Sequence, residues 1–329
     1  MRDSILVSLS IIITLTGCGT ATTTTDTATS DRVFTAVSES VVSESVETAT
    51  SISLAELDLS VMAPRCAIPG DVEESVPGGE IDWSGNTVRS TGTGVLDIGN
   101  ANTAQARLMA ERAAVVVAQR NLLETVQGIR VDSETRVENF MTDYDVIYTR
   151  VEGIVRNARQ VGPARYDSVA GIVEVELEMD IHSPQGISGA LSSVLGNPET
   201  STVSMSPQTR EFLSQYSALV FDGSQAGLQP SMYPRIYDAN GNLLLDTRNY
   251  AAYLGSGGQT AMQFISDLDQ ILSQPAFAQS PLVLQVRQIT GQFGTDIVLG
   301  EADSDKLDWL KEGLPFLMGA GRFLLNVLL

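Results

Sequence analysis

The sequence predicts an α+β body. A helix packed on an antiparallel sheet comes first, and a second, α/β domain with a mixed sheet follows. A lipidated N-terminus and a flexible tether precede both. Three observations carry this. "GIVEVELEMDI", residues 171–181, alternates apolar and acidic residues, as a strand with one buried and one wet face does. "ANTAQARLMAERAAVVVAQRNLLETVQG", residues 101–128, carries an apolar stripe at helical period. Beyond residue 213, strand-like and helix-like runs alternate, which is the pattern of an α/β domain.

The chain opens with "SILVSLSIIITLT", residues 4–16, an apolar run too short for the roughly 20 residues of a span. Arg2 precedes it and "GTATTTTDTATS" follows, so it reads as a secretory signal over residues 1–17. It ends in "LTGC", Leu15 to Cys18, which resembles the bacterial lipobox: an aliphatic residue, two small ones and a cysteine. That resemblance implies cleavage between Gly17 and Cys18 and lipidation of Cys18. One acyl chain anchors only marginally, at about 0.8 kcal/mol per buried methylene, so two or three make a stable anchor. Gly19 is not the aspartate that marks inner-membrane retention. The location implied is therefore the outer membrane, with the body in the periplasm or at the surface. Residues 18–80 read as an acidic, Ser/Thr-rich tether, with "VSESV" at 37–41 repeated at 42–46. Cys66, between Pro64 and Pro69, reads as an unpaired loop thiol, with an intermolecular disulfide as the alternative.

Charge and composition exclude several classes. A net charge of −20 and a pI near 4.3 argue against nucleic acid and against a polybasic membrane surface. Two cysteines and one histidine, His182, leave no zinc framework and no histidine triad. No metal or cofactor is expected.

The first folded domain is assigned to residues 81–183. "NTVRSTGTGVLDIGN" reads as a strand; its "GTGVLD" lacks the third glycine of a dinucleotide fingerprint. The helix is capped by Asn100 or Asn102 and ended by Gly128. Its stripe is read as Ala104, Leu108, Val115, Ala118, Leu122 and Val126. "AAVVVA", 113–118, is apolar nearly all round, which predicts burial on more than one side. Glu111 falls on that stripe, either as a buried catalytic acid or, preferably, as a partner of Arg107 or Arg112. "VIYTRVEGIVRNARQV", 146–161, reads as a strand. Its Arg150, Arg156 and Arg159 would offset Glu174, Glu176, Glu178 and Asp180 on the next strand. His182 reads as an edge residue.

Residues 111–161, with "RNLLETVQGIRVDSETRV" at 120–137, "TRVEGIVRNARQV" at 149–161 and the closing "VEVELEM", resemble the LPP-twenty lipoprotein family. They are also similar to the N-terminal domain of flagellar assembly protein T. The resemblance spans roughly residues 87–181. It implies a helix on a small antiparallel sheet and a surface or periplasmic lipoprotein, some of whose kin support flagellar rings. It brings no catalytic residues.

Residues 184–212 read as a linker with a short helix at 188–195, and residues 213–329 as the second domain. "ALVF" is a strand. "RIYDANGNLLLD" is a hairpin with Asn240-Gly241 at its turn. Asp238, Asn240 and Asn242 do not make a calcium loop, because Gly241 stands at the fourth position and no acid at the twelfth. A helix is predicted at 258–273 from Met262, Ile265, Leu268 and Ile271. "PLVLQVRQI" and "TDIVLG" are strands, "EADSDKLDWLKE" a helix with acids at its start, and "RFLLNVLL" a buried strand. Asp222 reads as a turn residue, with a ligand-binding acid as the alternative. "GLQPSMYPRIYDANG" and "TDIVLGEAD" resemble the C-terminal half of larger lipoproteins of the same group.

The leading expectation is a non-enzymatic lipoprotein with a structural or assembly role, self-associating or bound to other envelope or flagellar proteins. The alternative is a periplasmic module that binds a small ligand or peptidoglycan. An enzyme ranks last, with Glu174 and Glu176 as its best acids.

Overall fold

A computed structural model describes residues 70–96, 99, 103–195, 207, 211, 219–250, 262–269, 281–311 and 325–329. The signal, Gly17, Cys18, the tether repeats and Cys66 lie outside them. The α+β class stands: a helix-covered antiparallel sheet, then a mixed sheet with its own helix.

The first sheet runs β1 (Glu73–Val76), β2 (Gly79–Asp82), β3 (Thr87–Val95), then β6 (Ile172–Asp180) and β4 (Arg159–Gln160) in spatial order. β5 (Arg165–Asp167) also pairs with β6, and every pairing is antiparallel. β1 and the start of β2 thus fall inside the stretch read as tether. On β6, Val173, Val175, Leu177 and Met179 point to the core as the alternation requires.

Helix α1 (Thr103–Gly128) lies on that face. Its buried stripe is Ala106, Ala110, Ala114, Ala118, Leu122, Thr125 and Val126. The expected stripe was right from Ala118 onward and wrong before it. Ala104 is exposed, Val115 is only partly buried, and Leu108 and Met109 are 63% and 62% exposed. The expectation of burial on several sides also fails, since Val116 faces solvent. The reason is close approach. β3 presents Gly92 and Gly94 to the helix, and a Cβ there would stand 2.1 Å from the Ala114 carbonyl oxygen and 1.9 Å from that of Ala110. Glycine facing alanine brings the two backbones together, so the alanines are buried and the longer side chains point out.

The strand predicted at 146–161 is mostly a helix. Short α2 (Val137–Asp143) leads into α3 (Asp145–Arg156), and only Arg159–Gln160 join the sheet. Ile147, Val151 and Val155 recur every four residues and form one buried stripe. Asp145 and Arg156 sit at the ends that the helix dipole favours. Packing of that stripe overrides the strand preference of its β-branched residues. Helix α4 (Ile187–Leu195) matches the short helix expected there and packs beside α3.

The second sheet contains β7 (Leu219–Asp222), β8 (Arg235–Tyr237), β9 (Leu243–Asp246), β10 (Met262–Ile265), β11 (Leu282–Thr290), β12 (Asp296–Leu299) and β13 (Leu325–Leu328). Their order is β10-β13-β7-β11-β12-β8-β9. β10, β13, β7 and β11 pair in parallel, β12 is antiparallel to β11, and β8 and β9 form the hairpin. α5 (Glu301–Lys311) follows β12. Within the helix predicted at 258–273, residues 258–261 and 270–273 lie outside the described residues, while 262–265 are a strand. All four are buried, as in a strand covered on both faces, and their three-residue spacing with Leu268 does not separate the two periods. The hairpin is as read, but Gly241 (φ 82°) follows the turn instead of sharing its centre: its N–H donates to the Asp238 carbonyl. Gly241 thus takes the left-handed position after Ala239-Asn240.

Candidate functional site

Two places gather charged and polar side chains. One is a seam where the two sheets meet within a single compact unit. The loop from α1 to α2 supplies it. Asp132 Oδ1 accepts from the backbone N–H of Glu134 and Thr135 and from the Thr135 hydroxyl, so the loop folds on its own side chain. The loop then bonds outward. Met232 and Tyr233 N–H donate to the carbonyls of Arg130 and Val131, and Phe293 N–H to that of Ser133.

At the centre of the seam, the Ser133 hydroxyl donates to Asp296 Oδ2 at 2.6 Å and accepts from the Arg235 guanidinium at 2.5 Å. Arg235 also donates its backbone N–H and Nε to the two oxygens of Asp296. Asp296 and Ser133 are buried. Burial pushes the Asp296 carboxyl up, against the lowering effect of Ser133 and Arg235. Gly291 (φ 87°) closes over Ser133, where a Cβ would meet the serine Cβ at 2.2 Å.

Three further contacts flank this centre. Arg130 grips Glu74 with both terminal nitrogens at 2.9 and 2.5 Å, and its Nε donates to the Pro230 carbonyl. Arg248 spans Asp246 and, at 3.5 Å, Asp132. Trp83 meets Phe264 edge-on at 5.8 Å. His182 belongs here too. It is not an edge residue: it is buried against Tyr233, ring centroids 5.3 Å apart, and its Nδ1 has no hydrogen-bond partner. Burial lowers its pKa to about 4 and raises that of the Tyr233 phenol. The Ser188 hydroxyl near Tyr233 opposes the phenol shift in part, but the contact lacks full hydrogen-bond geometry.

The other place is an open groove of about 680 Å³ between α3, the end of β6 and α4. Ile154, Met179 and Ala190 give it apolar surface; Arg150 and Arg159 stand over it. Arg150 is engaged by Ser193, at 2.9 Å. Arg159 pairs with Glu178, which Arg89 also holds at 2.6 Å. Glu178 is therefore buried, although it lies on the face expected to be wet.

The acids singled out in the sequence have local partners. Arg159 and Arg165 stand directly opposite Glu178 and Glu174 in the register, so cross-strand pairing operates. Two of the three arginines assigned to that task are elsewhere: Arg150 is on α3, and Arg156 pairs with Glu152 one helical turn away. Glu176 is 3.9 Å from Arg165. Glu111 accepts from the Tyr166 hydroxyl at 2.8 Å and not from an arginine of its own helix; Arg107 stacks on Tyr166 instead. Asp222 accepts from Ser224 and Gln285, and although its burial works upward, those bonds hold its pKa below the usual carboxylate range. Asp238 accepts from the backbone of Asn240 and Asn242 and from the Asn242 amide. Among the described residues no three His, Cys, Asp or Glu side chains gather as a metal site, and no helix is long and apolar enough to cross a membrane.

Sequence reading missed Ser133, Arg235 and Asp296 as partners. Each was in view: a serine inside "VDSET", an arginine directly after Pro234 and an aspartate opening "TDIVLG". Only the fold brings them together.

Residues 218–320 match the family model for the second domain of Treponema pallidum Tp0624. No curated protein matches the chain. The matched segment holds β7 to β12 and α5, and with them Arg235 and Asp296 of the seam.

Proposed function

We propose that the chain is an outer-membrane-anchored periplasmic lipoprotein whose body serves as a structural or assembly element and not as a catalyst. One observation carries this reading: the charged seam ties the α1–α2 loop to the second sheet through the buried, mutually hydrogen-bonded Ser133, Asp296 and Arg235. A body that closes on substrate needs freedom to hinge between its domains, and bonds of this kind across the seam oppose such a motion. Membership of the LPP-twenty group, and a place in a flagellar basal-body ring, form the finer part of the proposal and rest on residues 120–137 and 149–161. The test is membrane fractionation with in-cell crosslinking of the full chain beside Cys18→Ala. The wild type should sediment with the outer membrane and capture envelope assembly components, while the variant should be released. Identical partition of the two forms overturns the anchor. Capture of no envelope component overturns the assembly role.

The groove beside α3 favours a second reading, a module that binds a small ligand or peptidoglycan. Thermal shift against glycan fragments tests it. Stabilisation that Arg159→Ala abolishes would support it, and no shift with any fragment would remove it.

A further inference from the structure

The outer face of α1 carries Leu108, Met109, Ala113 and Val116 in the open, with Arg112 and Arg120 between and beyond them. At 100° per residue these six fall within one arc opposite the alanine stripe. That arc holds no carboxylate from Leu108 to Arg120. Among the described residues, neither arginine has an ion-pair partner. On a chain of net charge −20, an apolar helix face with two unpaired cations is a local inversion of sign.

A second exposed patch has the opposite character. Where α2 passes into α3, Tyr144, Val146 and Tyr148 are exposed, and Asp143 and Asp145 bracket Tyr144. Among the described residues, these two aspartates have no ion-pair partner either. One patch is apolar and basic, the other apolar and acidic, and the same chain bears both.

We infer that the α1 face of one copy docks on the α2–α3 corner of a second copy. Arg112 and Arg120 would face Asp143 and Asp145, and Leu108, Met109 and Val116 would cover the exposed tyrosines and Val146. The inference deepens the assembly role proposed above and rests on it. Complementary charge sets orientation and encounter rate, and the apolar centre supplies the affinity. Because the two patches differ, the contact is head-to-tail; repeated, it yields a ring if the rotation closes and a filament if it does not.

The test uses the full chain in detergent, with mass followed by light scattering. Self-association should weaken about tenfold between about 0.1 M and about 1 M salt, as the Debye length falls from about 10 to about 3 Å. R112E/R120E and D143R/D145R should each fail to self-associate, and an equimolar mixture of the two should associate again. A wild type that stays monomeric at low salt overturns the inference, as does a mixture no larger than its parts. A benzophenone side chain at Ala113 of the otherwise unaltered chain gives a reading that does not depend on how the charge variants fold. Its crosslink should fall within residues 143–148 of another copy, and a crosslink elsewhere overturns the contact. Flotation with phosphatidylglycerol vesicles that R112E/R120E abolishes, with no self-association in the wild type, would assign the face to lipid and also overturn it. Failure here leaves the crosslinking partners of the full chain in cells to judge the assembly role separately.

Discussion

Arg235 and Asp296 form a pair whose value lies in completeness. Asp296 is almost wholly buried and Arg235 largely so, and the Ser133 hydroxyl bridges them, donating to the Asp296 oxygen that Arg235 Nε also reaches and accepting from the guanidinium. Removing one partner leaves a buried charge without compensation, which typically costs about 3–5 kcal/mol. Arg235→Ala should therefore lower the unfolding free energy by about 3 kcal/mol, read by chemical denaturation. A loss under about 1 kcal/mol would mean that water reaches Asp296 and that the seam is looser than its geometry. His182 gives the seam a pH dependence of definite sign. Its folded pKa lies near 4, below the ordinary 6.5, so the unfolded chain takes up the proton first. The contribution of His182 is present in full above the unfolded value. It is lost as pH falls from about 6.5 to about 4, to a total of about 3 kcal/mol. His182→Gln should flatten this part of the stability profile. A profile with the same slope in the variant would show that other groups titrate there.

At the scale of the element, the contact of α1 with β3 is set by what is missing from the strand. Gly92→Ala or Gly94→Ala places a methyl group against helix backbone, which cannot step aside as a side chain can. Either change should cost about 3 kcal/mol and lift α1 from the sheet, checked by denaturation and by exchange at Ala114 and Ala118. A neutral Gly92→Ala would mean the helix shifts freely. This same contact explains where the sequence could and could not be read. Strict alternation on β6 and the length of α1 were legible because each states a period over many residues. The helix face was not legible in its first half: alanine, leucine and methionine are all apolar, and only the facing glycines decide which of them is buried. α3 was misread because its β-branched residues suit either state, and its stripe of Ile147, Val151 and Val155 gains meaning only once α1 is there to cover it. The seam was the least legible part. Ser133, Arg235 and Asp296 are far apart in the chain, and no local pattern joins a loop serine to a strand aspartate.

At the scale of the whole molecule, the chain is acidic, yet its charges are not spread evenly. Glu74, Glu174, Glu176 and Glu178 of the first sheet are answered by arginines, while among the described residues Arg112, Arg120, Asp143 and Asp145 stand in two patches without an ion-pair partner. The contact inferred between copies follows from that remainder, and its salt sensitivity follows from the exposure of the charges.

The N-terminal edge of the first sheet has a mechanical consequence. Just after Gly70, Asp71 accepts both the backbone N–H and the hydroxyl of Ser266, which directly follows β10 of the second sheet. Three residues on, Glu74 is clasped by Arg130. A pull that reaches Asp71 is therefore shared between the two sheets. Peeling β1 away would require breaking the grips on Asp71 and Glu74 together. Under load this corner should give way in a single event instead of unravelling strand by strand.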